Sequence, residues 1–153
     1  MSTIAWGNYA NQIVAMLKGS SLFADVDIFD GFELKGDNLF KGIVIGNDGI
    51  GASQAIAGAF IADFDNIGAK RMKESGILHC YLYANSGDSD TLSTLRNTVN
   101  QMLSNFDTLL RTDPSAAQTV KYSGIHDITV QYLKTTRGDG VKITFHIQYT
   151  AIT

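Results

Sequence analysis

The chain of 153 residues has one cysteine and one proline, and it lacks any excess of positive charge. A single thiol, Cys80, excludes an intrachain disulfide. Its place in the apolar run Leu78-His79-Cys80-Tyr81-Leu82-Tyr83 predicts a buried group rather than a nucleophile. Long apolar stretches are missing too: the longest, residues 55–62, contains Gly58 and falls far short of the roughly 20 residues that a bilayer-spanning helix needs. No basic-then-apolar secretory signal opens the chain, so a protein made and used in a cytoplasm, with no membrane partner, is expected. Twelve Lys and Arg against 15 Asp and Glu give a net charge of -3. That balance leaves no electrostatic footprint for tight nucleic-acid binding, and no run of like charge suggests a membrane surface. No Pro-rich or Ser-rich linker and no internal repeat divides the chain.

What is present is enough apolar material for one sizeable core. With 44% hydrophobic and 18% charged residues, a single domain over 1–153 is expected. Trp6, Ala10, Ile13 and Leu17 recur at helical spacing behind Ser2 or Thr3 as a cap, with Gly19 as a stop. A second helix is clearer, since Leu92, Leu95, Val99, Met102, Leu103, Phe106, Leu109 and Leu110 form one stripe. Asp88 or Ser89 can cap it, Arg111 suits its C-terminal dipole, and Pro114 makes Asp113 a poor place to continue. Residues 76–84 read as a buried strand, and 25–29 and 43–45 as shorter ones.

At the C-terminal end, residues 128–132 and 141–149 alternate apolar and polar across the turn Arg137-Gly138-Asp139-Gly140. One face, with Ile128, Val130, Tyr132, Ile143, Phe145, Ile147 and Tyr149, is predicted buried. A two-residue loop at Gly138-Asp139 pairs Tyr132 with Phe145, and a loop at Asp139-Gly140 shifts the pairing by two while keeping the faces together. The order helix, strands, helix, hairpin predicts α+β: a mostly antiparallel sheet with two helices on one face and a C-terminal β-hairpin. Residues 46–68 carry Gly46, Gly49, Gly51 and Gly58 without a firm period, and read as a glycine-rich loop or arm, a long hairpin or a weak helix.

Candidate sites are few. Gly46-Asn47-Asp48-Gly49-Ile50-Gly51 follows the apolar run Ile43-Val44-Ile45 as a dinucleotide loop would, but Gln54 stands where the third glycine belongs. A flexible loop for close approach fits better. No Gly-Lys-Ser or Gly-Lys-Thr phosphate cradle exists, and no cofactor is expected. His79, His126 and His146 lie in or beside strands, none at a helical metal spacing from a second ligand, so a metal site would need partners that the fold supplies. Neighbours on a strand point to opposite faces, which rules out His79 with Cys80 as a pair. Arg137-Gly138-Asp139 spells an adhesion tripeptide but is what a tight turn demands. Asp25 with Asp27, and Asp63 with Asp65, read as wet faces and ends of strands.

Several pieces in order carry a family resemblance: Arg71-Met72-Lys73-Glu74-Ser75-Gly76-Ile77-Leu78-His79-Cys80, then Ser86-Gly87-Asp88-Ser89-Asp90, then Arg96 within the helix, Leu110-Arg111-Thr112-Asp113-Pro114, and the hairpin ending in Phe145-His146-Ile147. Covering about half of the chain, they resemble the tail terminator (tail completion) proteins of long-tailed bacteriophages. The resemblance implies a structural virion protein without catalytic residues. Its subunits form a ring, usually of six, that caps the tail tube, stops its elongation and offers a docking face to the head connector. The implied partners are further copies of the chain, the tail tube protein and a head-completion or connector protein, with genomic DNA passing through the lumen without specific binding. The implied location is the tail-neck junction of the virion, after assembly in the host cytoplasm. Under this reading Gly46, Asn47, Asp48, Gly49, Arg71, Glu74, Arg137 and Asp139 are the expected oligomer or tube contacts. A head-tail connector or neck protein is the alternative of the same class, and a small cofactor-binding enzyme domain using residues 46–51 is the alternative of another.

Overall fold

A computed structural model describes residues 4–33, 40–51, 53–64, 72–85, 92–135 and 138–152. Along the chain come α1 (Trp6–Gly19), a short 3-10 turn (Ser21–Phe23), β1 (Asp27–Asp30), β2 (Lys41–Ile45), β3 (Gly58–Phe64), β4 (Met72–Asn85), α2 (Leu92–Thr112), β5 (Tyr122–Thr135) and β6 (Gly138–Ile152). The fold is α+β, with two helices on a mixed, mostly antiparallel six-stranded sheet that ends in a strand hairpin. Strands run in the order β1-β2-β4-β6-β5, and β3 pairs β4 beyond the end of β2. Only β1 and β2 are parallel among the described pairs, Ile28 lying opposite Ile43.

Period-two alternation on β4 and β6 builds the core. Leu78, Cys80, Leu82 and Ala84 lie opposite Ile147, Phe145, Ile143 and Val141, and all of them are buried on the helix-covered face. The stripe of α2, Leu95, Val99, Met102, Phe106 and Leu110, packs there, with Phe106 and Phe145 edge to face at 5.4 Å. Tyr9, Ile13, Val14 and Leu17 of α1 join the same cluster, and the Tyr9 ring lies 4.7 Å from that of Tyr149. On the opposite face a smaller cluster holds Phe29, Val44, Tyr81 and Tyr83.

Several expectations are corrected. One reading left open is met in part rather than corrected: of the glycine-punctuated segment, residues 58–64 form β3, which pairs antiparallel with β4 from Gly58 opposite Leu78 to Phe64 opposite Met72. Thr135 lies opposite Gly138, so the C-terminal hairpin closes over residues 136–137 and not at Gly138-Asp139 or Asp139-Gly140. Tyr132 consequently faces Val141, and Val130 faces Ile143, a slip of four positions that leaves the faces unchanged. The buried face is only half as predicted: Ile143, Phe145, Ile147 and Tyr149 are buried, whereas Ile128, Val130 and Tyr132 are exposed. They lie on the outermost described strand, beyond the cover of the helices. The caps also differ. Helix α1 begins after Ala5, whose N–H donates to the Glu74 carboxylate at 2.8 Å, and Gly19 is its last helical residue. Ser2, Thr3, Asp88 and Ser89 lie outside the described residues.

After α2, Ala116, Ala117 and Gln118 all take left-handed backbone angles, a costly arrangement for side-chain-bearing residues. Side chains from the preceding turn hold it. Asp113 accepts from the Ala117 N–H at 2.7 Å and from the Ser115 hydroxyl at 2.9 Å, and Ser115 Oγ accepts from the Gln118 N–H at 3.1 Å. Ala116 is fully buried, so the turn fastens the chain where it passes from α2 to β5.

Candidate functional site

The loop after β2 is fastened rather than loose. Gly46 and Gly49 have φ of +79° and +76°, angles that only glycine adopts without strain. The N–H groups of Gly46 and Asn47 both donate to the His79 carbonyl, at 2.8 and 3.1 Å. Asn47 is buried, its amide donating to the Gly31 carbonyl at 2.8 Å while its Oδ1 accepts from the Gly49 N–H at 2.7 Å. From β6, Lys142 donates to the Gly49 carbonyl at 2.7 Å and places its charge 4.5 Å from the centre of the Tyr81 ring. The amides of Gly46, Asn47 and Gly49 are therefore spent inside the fold and cannot cradle a phosphate. Of the four loop residues expected as contacts, Asn47 is interior and Gly46, Asp48 and Gly49 are half-buried. The side chain that the loop presents outward is its neighbour Ile50, 88% exposed.

Glu74 is interior as well. It is 3% exposed and accepts from the Ala5 N–H and the Tyr149 hydroxyl, so it ties the start of α1 to β4 and β6 instead of forming a rim. Burial and the facing Glu74 carboxylate push the Tyr149 phenol well above the ordinary tyrosine range. Asp139 is half-buried within β6, opposite Lys134. Arg71 and Arg137 lie outside the described residues. The eight expected contacts are thus not gathered into one site.

Two surfaces stand out instead. The first is the apolar strip on β5, where Ile128, Val130 and Tyr132 are 51%, 54% and 55% exposed. Across the sheet, β3 presents Phe60 and Ile61, also exposed. On the open sheet face a trough of about 660 Å³ runs from Ile61 of β3 to Tyr122 of β5, floored by Ser75, Ile77, Gly124 and Gln148.

The second is a row of imidazoles on the open face. His79 of β4 lies directly opposite His146 of β6, which lies directly opposite His126 of β5. Ring centres are 5.9 Å apart for the first pair, edge to face, and 6.3 Å for the second, stacked. Next to His126 the strand bulges, two residues of β5 facing one of β6. The bulge holds Asp127 in a left-handed conformation with its carboxylate 3.4 Å from His146 Nε2. Burial, with His79 and His126 adding to it against the opposing pull of Asp127, holds His146 below the usual histidine range. Sequence spacing could not reveal this row, because it depends on the true register and on the bulge. Among the described residues no three His, Cys, Asp or Glu side chains are placed to hold a metal ion, and no helix is long and apolar enough to cross a membrane.

Searched against protein families the chain matches none, and no curated protein matches it.

Proposed function

We propose that the chain is a structural subunit of a long-tailed phage, a tail terminator whose ring caps the tail tube, stops its growth and receives the head connector. The observation that carries this reading is the exposed strip Ile128, Val130, Tyr132 on the outermost described strand. Apolar side chains in a row on an outer strand are an association hazard in a monomer and a ready contact in an assembly. Phe60 and Ile61 lie at a different place on the sheet, so a contact between the two surfaces is heterologous, the kind that closes into a ring when the rotation permits. Six subunits of 16.6 kDa would weigh about 100 kDa. The net charge of -3 suits a lumen that lets DNA slide without gripping phosphates.

The test is removal of the gene from a phage that encodes this chain, followed by electron microscopy of the lysate. Unjoined heads with tails longer than normal are expected. Tails of normal length left unjoined would assign the chain to the neck instead, and normal joined tails would overturn both. In parallel, native mass spectrometry with Val130→Asp should show loss of the ring while the subunit stays folded.

A further inference from the structure

Three imidazoles drawn from three adjacent strands need a physical account, because His146 stands between two further rings that can carry a proton. The rings are 5.9 and 6.3 Å apart, centre to centre. Like charges on neighbouring rings would sit at those separations, shorter than the screening length of about 8 Å at physiological salt. One carboxylate faces them. Asp127 meets His146 at 3.4 Å, whereas among the described residues no carboxylate forms an ion pair with His79 or His126.

The remaining neighbours do not compensate. Along β6 the same face carries Thr144 and Gln148, whose amide lies 3.4 Å from His146 Nε2, and neither titrates. Tyr81 follows His79 on that face of β4, and burial beside Glu33 pushes its phenol up, so it stays neutral. Beyond Thr144 comes Lys142, already cationic and turned toward Gly49 and Tyr81, which adds positive charge to the surface. The strands are also held unequally. Strand β4 and strand β6 each have sheet neighbours on both sides, whereas among the described residues β5 pairs only with β6, and its pairing is interrupted between His126 and Thr129.

We propose that the row His79, His146, His126 is an acid-operated release for the outer strand β5, whose pairing with β6 loosens around the Asp127 bulge as the imidazoles become charged. The direction follows from linkage. The fold favours neutral His146, so the stabilisation is complete above the ordinary histidine value and is lost as pH falls through it toward the lower folded value. Loosening β5 would also displace the strip Ile128, Val130, Tyr132, so the release would act on whatever that strip contacts.

Amide hydrogen exchange on the intact chain at about pH 7.5 and about pH 5, corrected for intrinsic rates, reads the release directly. The amides of β5 should lose at least about tenfold more protection than those of β4 on acidification. His146→Gln should abolish that selective loss, and the double variant His79→Gln with His126→Gln should reduce it. Equal changes in β4 and β5, or a selective loss that survives in full in His146→Gln, would overturn the proposal. Imidazole titration by NMR gives a second readout that needs no strand opening. His146 should titrate below the ordinary value of about 6.5 and move toward it in the double variant, and a His146 at or above that value in the parent would overturn the proposal equally.

Discussion

Replacing Phe145 by Ala separates burial from pattern within one hairpin. Phe145 is 3% exposed, lies opposite the fully buried Cys80, and meets Phe106 edge to face at 5.4 Å. Removing a buried phenyl ring costs about 3–5 kcal/mol, part of it the aromatic pair. The upper half of that range is expected, since the vacated space is bounded by two paired strands and a helix that cannot close on it without breaking strand register. For a chain of this length each kcal/mol lowers the melting temperature by about 2–4 °C, so a fall of roughly 8–20 °C should follow. Val130→Ala is the control. Val130 lies on the same sheet face, opposite the buried Ile143, yet is 54% exposed, and its truncation should change stability by no more than about 0.5 kcal/mol. Thermal and urea melts followed by circular dichroism, with an unchanged urea slope, compare the two. A Phe145→Ala protein melting within about 2 °C of the parent, or a Val130→Ala protein falling as far as it does, would refute the division of the hairpin into a covered and an uncovered half.

Two further outcomes follow from the interior. Glu74→Ala leaves the Ala5 N–H and the Tyr149 hydroxyl buried without their acceptor and should cost about 3 kcal/mol in chemical denaturation, whereas Glu74→Gln keeps an amide oxygen in place and should cost clearly less; equal losses would show that the carboxylate's contacts are incidental. The Cys80 thiol is fully buried and its ionisation is pushed far up by that burial, so in the native protein alkylation should be at least about a thousandfold slower than in urea, and rapid native labelling would contradict its placement.

Periodicity made the two helices and the inner strands legible, because a stripe or an alternation reports which side chains share a face. It does not report whether anything covers that face. Strand β5 shows the difference: Ile128, Val130 and Tyr132 alternate as cleanly as Ile143, Phe145 and Ile147, and only position in the sheet separates them. The register was degenerate for the same reason, since a slip of four positions preserves every face, and Gly138 and Asp139 were read as a turn although they pair with Thr135 and Lys134. Glu74 was readable in principle. It is in phase with Gly76, Leu78 and Cys80, so starting β4 at Met72 instead of Gly76 would have turned it inward. Nothing in Ala116-Ala117-Gln118 announces a left-handed turn, which is imposed by Asp113 and Ser115. The histidine row needed two correct registers and one bulge.

The bulge at Asp127 also bears on how the outer strand can be used. A strand of 14 residues with apolar side chains and, among the described residues, only one sheet neighbour would be a template for open-ended strand addition. Asp127 divides that edge into two shorter lengths, residues 122–126 and 129–135, and the bulge twists one against the other, so a flat incoming strand cannot pair along the whole of it. What remains available is the strip of side chains on the helix-side face, together with Lys134, which is exposed on the same strand and discourages edge pairing. A contact through side chains on a face has to match a particular surface, whereas backbone pairing accepts any extended chain. The same bulge that brings Asp127 to His146 therefore favours a shape-specific partner over unlimited sheet growth, which is what a closed assembly requires of its subunit.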